Sequence, residues 1–200
     1  AVGRFVMAAA AKNLTPVTLE LGGKSPTIVS DNIPMKDAAE RICFGKSMNA
    51  GQTCVAPDYI LVPKAKEEAF IKAYIAAFSK MYPTLKDNGD YTAIVNDRQY
   101  QRLSSWINDA KDKGAKLTKI NPANEDLSAG RKLAPVIVQN MKNNMTIAEE
   151  ELFGPILPII PYESMDEAIA YINDRPRPLA LYFFGYDKNE QDHVLNNTHS

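Results

Sequence analysis

The 200-residue sequence predicts an α/β domain with a largely parallel, twisted sheet and helices on both faces. Apolar runs of strand length alternate with segments whose apolar residues recur every three or four positions, which is the pattern of βαβ units. Hydrophobic residues make up 45% of the chain, enough to bury a full core. No internal repeat, low-complexity block or Gly/Pro-rich linker interrupts the pattern, so residues 1–200 read as one domain.

The elements follow in chain order. Ala1–Met7 has neither an initiator Met nor the layout of a signal peptide, and reads as the boundary of a longer chain. Val17–Leu19 and Thr27–Ser30 are the first two strand candidates. Asp31-Asn32 ahead of Pro34 predicts a capped helix start, and the stripe Ala38, Ala39, Ile42, Cys43 and Lys46 onward carries that helix toward Asn49. Strands are expected at Tyr59–Val62, Lys116–Ile120, Pro135–Gln139, Ile156–Pro161 and Leu179–Gly185. Helices are expected at Lys64–Lys80, Asp97–Lys113, Ser164–Asn173 and Lys188–Asn196. Asn121–Arg131 is polar and reads as a surface loop.

With 23 basic and 24 acidic residues the net charge is −1, which gives no electrostatic footprint for nucleic acid or an anionic membrane. Apolar stretches such as Leu179–Phe184 are far short of the roughly 20 residues a membrane helix needs. His193 and His199 fall in no cluster with metal-ligand spacing, so no metal is expected. Two cysteines without a secretory signal favour a reducing compartment, and the cytoplasm is the expected location.

Three segments carry chemistry. Asn49-Ala50-Gly51-Gln52-Thr53-Cys54 ends a helix in a glycine turn and presents a cysteine at its exit, where close backbone amides can activate a thiolate. Cys43, at helical spacing with Ala39 and Ile42, reads as core. Glu20-Leu21-Gly22-Gly23-Lys24-Ser25-Pro26 places a carboxylate at the end of an apolar run, where such a group faces a crevice or simply occupies a solvated turn. Glu149-Glu150-Glu151 ahead of Leu152-Phe153-Gly154-Pro155 is the third segment, and an acidic helix end accounts for its first two glutamates.

Together, and in this order and spacing, the three segments resemble the signatures of the aldehyde dehydrogenase superfamily over essentially all 200 residues. The resemblance implies that the fold is that family's catalytic domain. It makes Cys54 the nucleophile and Glu20 the base that activates the deacylating water. It implies NAD or NADP as cofactor, with Glu151 on the nicotinamide ribose, Phe153 beside the nicotinamide, and Gly3, Leu21 and Gly22 also at the cofactor. The oxyanion is then stabilised by the amide of the cysteine itself and by an asparagine that lies upstream of these residues in the family. A small-molecule aldehyde is the implied partner, and the full-length chain is implied to be a homodimer or homotetramer.

The family is longer at both ends. Ala1–Arg4 looks like the tail of its nucleotide loop, with most of the cofactor domain ahead of it, and a further oligomerisation strand follows the family's counterpart of Ser200. Thr53–Tyr59 and Arg177–Tyr182 resemble the class 3 branch, which implies aromatic or, as the alternative, fatty or medium-chain aldehydes, and Asn13–Pro16 with Asp174–Pro178 and Phe184–Asp187 look most like bacterial coniferyl aldehyde dehydrogenases. Two other classes remain open on the residues alone. One is a cofactor-free thiol hydrolase or acyltransferase using Cys54 and Glu20, which leaves Glu151–Pro155 without a role. The other is a non-enzymatic module with a structural cysteine.

Overall fold

A computed structural model describes residues 2–200. Six strands form one sheet in the order β3-β4-β5-β2-β1-β6. They are β1 (Pro26–Val29), β2 (Tyr59–Pro63), β3 (Lys116–Lys119), β4 (Val136–Gln139), β5 (Ile156–Tyr162) and β6 (Tyr182–Phe184). All neighbours pair in parallel except β3 with β4, whose antiparallel register puts Lys116 opposite Gln139.

The central strands β1 and β2 are buried along their whole length, as a strand covered on both faces must be. Their alternation sorts the core. Val29, Ile60 and Val62 face the cluster built with Ile42, Phe70 and Phe78, whereas Ile28, Tyr59 and Leu61 face the cluster built with Ile169, Ile172 and Val194. The first cluster belongs to α2 (Met35–Ser47), α3 (Glu67–Met81) and α4 (Asp97–Asp112), the second to α6 (Met165–Asn173) and α7 (Lys188–Asn197). Helices therefore cover both faces, as the sequence predicts.

Several element boundaries depart from expectation for identifiable reasons. Val17–Leu19 forms no strand: residues 15–25 are irregular, Val17 is exposed, and β1 has β2 and β6 as its neighbours. The segment Val2–Ala11 is helix α1, in keeping with its run of four alanines, the best helix formers. A single turn, α5 (Thr146–Glu149), precedes Glu151. The expected strand at Leu179–Gly185 shrinks to β6, because only Tyr182–Phe184 lies in register with Thr27–Val29. The cap expected ahead of α2 is also different. Pro34 is the N-cap and offers no side-chain acceptor, while Asn32 turns away to donate to Glu190 and to accept from the Tyr186 amide.

Ile60 is fully buried at the centre of β2 and faces α2 and α3. Ile60→Ala is expected to lower the unfolding free energy in urea by about 2–5 kcal/mol. Truncation of Lys116, exposed on edge strand β3, is expected to change it by less than about 0.5 kcal/mol.

Candidate active site

The three segments singled out by sequence converge around the Glu151 loop. Gly51 has φ +73°, and a Cβ there would lie 2.5 Å from the Gly154 carbonyl oxygen, so the cysteine turn and the Glu151 loop touch backbone to backbone. Gly22 has φ +72°, and a Cβ there would meet the Glu151 carboxylate at 2.8 Å. Glycine at both positions lets the loops approach in conformations that side chains rarely adopt.

A buried charge pair joins the segments. Lys24 Nζ lies 2.5 Å from Asp58 Oδ1 and also donates to the carbonyls of Ile147 and Glu150, both at 2.9 Å. The other carboxylate oxygen of Asp58 accepts from the Leu152 amide at 2.8 Å. On the opposite edge of the loop, Arg102 of α4 donates to the Leu152 carbonyl at 2.8 Å while stacking 4.2 Å from the Trp106 ring. Leu152 is thus held at both its N–H and its C=O, and the next residue, Phe153, takes a left-handed φ of 46°.

Glu151 lines a cleft of about 450 Å³ shared with Lys24, Asn143, Glu149, Arg175 and Arg177. Burial pushes its carboxyl above the usual range, the Gly23 amide pulls the other way, and the Asp58 charge raises it further. Phe153 is 39% exposed beside it.

Cys54 sits exposed in the turn that follows a 3-10 segment, Met48–Gly51, at the end of α2. Asn49 and Ala50 both have positive φ, and the Gln52 side chain holds the turn by donating to the carbonyls of Asn49 and Ala93 and accepting from the Val95 amide. Cys43 is buried against Ser47, and burial pushes its thiol up to about 11.

The remaining expected site residues are placed differently. Glu20 stands exposed on the irregular segment before β1, so it is neither partly buried nor at a strand end; the strand that would have carried it there has no partner. Gly3 lies inside α1 and packs on Leu21, whose Cδ2 would sit 2.8 Å from a Cβ at Gly3. These two are brought to each other, and neither lines the cleft at Glu151. Sequence reasoning missed Asp58, Arg102 and Tyr182 as site residues, and placed Lys46 on the α2 stripe without marking its charge as buried. Asp58 lies four residues after Cys54 and Lys46 eight before it, but nothing in the spacing marks a charge as buried. Among the described residues no cluster suited to a metal ion and no helix long and apolar enough to cross a membrane is present.

Under native conditions at pH 8, iodoacetamide is expected to modify Cys54 and to leave Cys43 unmodified until the chain is unfolded, as read by peptide mass spectrometry. A second expectation concerns Lys46, buried on α2, whose ammonium group burial lowers to about 8, with Asp58 opposing the shift. The unfolded chain, with lysine at its ordinary 10.5, binds more protons between these values, so stability contributed by this site rises as pH increases from about 8 to 10.5. Lys46→Met should remove that increment from urea unfolding curves recorded across the interval.

The aldehyde dehydrogenase family model matches residues 1–200. A probable coniferyl aldehyde dehydrogenase of Pseudomonas aeruginosa is 57% identical over 199 residues, covering 100% of this chain and 41% of the relative. A coniferyl aldehyde dehydrogenase of Pseudomonas sp. is 48% identical, covering 99% and 42%. Among solved structures, the substrate-bound state of Staphylococcus aureus AldH superposes with a TM-score of 0.90 at 43% identity, covering 98% and 42%. Betaine aldehyde dehydrogenase from Staphylococcus aureus, in complex with NAD+, gives 0.85 at 29% identity, covering 98% and 40%. The chain spans about two fifths of the length of these relatives. With the converging motif loops, the match along its whole length means that this chain belongs to the aldehyde dehydrogenase family.

Proposed function

We propose that these residues are the catalytic segment of an NAD(P)-dependent aldehyde dehydrogenase that oxidises coniferaldehyde or a similar aromatic aldehyde to its carboxylic acid. The observation that carries the reading is the packing of Gly51 on Gly154 and of Gly22 on Glu151, which joins the thiol turn, the Glu20 segment and the Glu151 loop in one assembly.

The Cys54 thiolate attacks the aldehyde carbonyl and forms a C–S bond, giving a thiohemiacetal whose oxyanion the Cys54 amide stabilises. Loss of hydride from that carbon leaves a thioester on Cys54. Glu20 accepts a proton from water, the hydroxide adds to the thioester carbonyl, and the acid departs as the thiolate is restored.

The residues around Glu151 fit a nicotinamide cofactor. Its carboxylate is half-buried, backed by the Cβ-free surface of Gly22, and has two oxygens able to accept from a ribose diol. Glu151 with Gly22 would hold the ribose, and Phe153 would pack near the ring, while Gly3 and Leu21 would act at the rim of the cofactor site. Bound NAD or NADP supplies the hydride acceptor. On the substrate side, Phe44 in the last turn of α2 and Met48 just beyond its end are 60% and 50% exposed, and offer apolar surface on the segment that leads to Cys54. The names of the relatives favour a hydroxycinnamaldehyde over a fatty aldehyde. On the same resemblance the full-length enzyme is a homodimer or homotetramer, and the free thiols of Cys43 and Cys54 suit the cytoplasm.

The test is NADH and NADPH formation by the full-length enzyme with coniferaldehyde and a long-chain aldehyde in parallel. Coniferaldehyde-dependent reduction that falls by at least about 10³-fold in Cys54→Ala is the expected outcome. Preference for the long-chain aldehyde would move the substrate, and ester turnover without any nicotinamide reduction would replace the reading with a thiol hydrolase.

A further inference from the structure

The nucleophile's turn is braced from outside by one residue to which the sequence assigns no role in the site. Tyr182 of edge strand β6, in register with Thr27 of β1, donates its hydroxyl to the Val55 carbonyl at 2.6 Å, across 127 residues of sequence. Upstream the turn is held by Gln52, and downstream the Asp58 amide donates to Ser25 at 2.8 Å. Among the described residues, Tyr182 makes the one side-chain hydrogen bond to the intervening stretch, Thr53–Pro57.

Peptide geometry gives that bond a direction. The Val55 carbonyl and the Ala56 N–H belong to one planar amide, and the Ala56 N–H donates to the Thr53 carbonyl at 3.1 Å. The Thr53 carbonyl in turn shares its amide plane with the Cys54 N–H. Two hydrogen bonds in series therefore run from the Tyr182 hydroxyl to the peptide unit that carries the Cys54 amide. Each carbonyl that accepts a bond polarises its own amide, which makes the N–H at the far end a stronger donor. Among the described residues, that N–H donates to no backbone or side-chain acceptor and is free for a ligand oxygen.

We propose that Tyr182 is a positioning residue that orients and polarises the Cys54 amide as the oxyanion donor. The inference rests on the dehydrogenase reading of Cys54. Burial raises the Tyr182 phenol above its ordinary range, so the hydroxyl keeps the proton it must donate.

Tyr182→Phe deletes one oxygen and keeps the ring, and is the variant to test in the full-length enzyme. Two reactions of the same thiolate separate the roles. With p-nitrophenyl acetate, Cys54 adds to the carbonyl through an oxyanion, p-nitrophenolate leaves, and water releases acetate. With iodoacetamide, sulfur displaces iodide directly and no oxyanion forms. Removing an oxyanion donor outright costs about 10²–10³-fold, so loosening one is expected to slow both aldehyde oxidation and ester turnover by about 5–20-fold in kcat. The alkylation rate of Cys54, the KM for NAD and the thermal midpoint should stay within about twofold or a few degrees of the parent. Unchanged turnover, or a matching loss in alkylation, would overturn the proposal while leaving a Cys54-dependent dehydrogenase intact. A parent enzyme whose aldehyde oxidation survives Cys54→Ala would instead remove the dehydrogenase reading, and this proposal with it.

Discussion

The architecture of the site depends on the buried pair Lys24–Asp58. Lys24 comes from the loop ahead of β1, Asp58 from the residue ahead of β2, and their joint partners are backbone groups of residues 147–152. Two adjacent parallel strands are thereby tied at their entry to the loop that carries Glu151 and Phe153. Removing one member of such a pair leaves a desolvated charge, a penalty of about 3–5 kcal/mol. Lys46 adds a second ammonium group near Asp58, at a cost that appears in its lowered proton affinity.

Around this centre the backbone is held in unusual conformations by packing. Asn49, Ala50 and Gly51 have positive φ in succession, and Phe153 has it in the facing loop. Left-handed backbone costs of order 1–3 kcal/mol at a non-glycine residue, and it persists where the surroundings over-determine it. Here Gln52 clamps one side with three hydrogen bonds, while Asp58 and Arg102 hold the Leu152 peptide on the other.

Much of the fold is legible in the sequence because hydrophobic period and turn chemistry are local signals. Helices α3, α4, α6 and α7 fall within a few residues of their expected bounds, and Asn96, Ser164 and Asp187 cap the last three with side-chain acceptors. Val17–Leu19 misleads because an apolar triplet says nothing about whether a partner strand lies beside it. Of the candidate site, the glycines of the three segments and the partition of Cys43 from Cys54 are readable, since both follow from spacing. The roles of Asp58, Arg102 and Tyr182 are not, because each depends on a long-range partner: Leu152 for the first two and Val55 for the third.

Those separations also have a kinetic meaning. The contacts that build the site join residues 34, 94, 123 and 127 positions apart, so each closes a large loop and forms only after the sheet has brought distant strands together. A nascent chain that has emerged as far as Asn144 already holds Cys54 and Lys24, yet it lacks every acceptor on the Glu151 loop and the tyrosine that braces the thiol turn. The exposed cysteine is thus synthesised long before its environment exists. During that interval its turn stands without the Gly154 backbone beside it and without the Tyr182 bond.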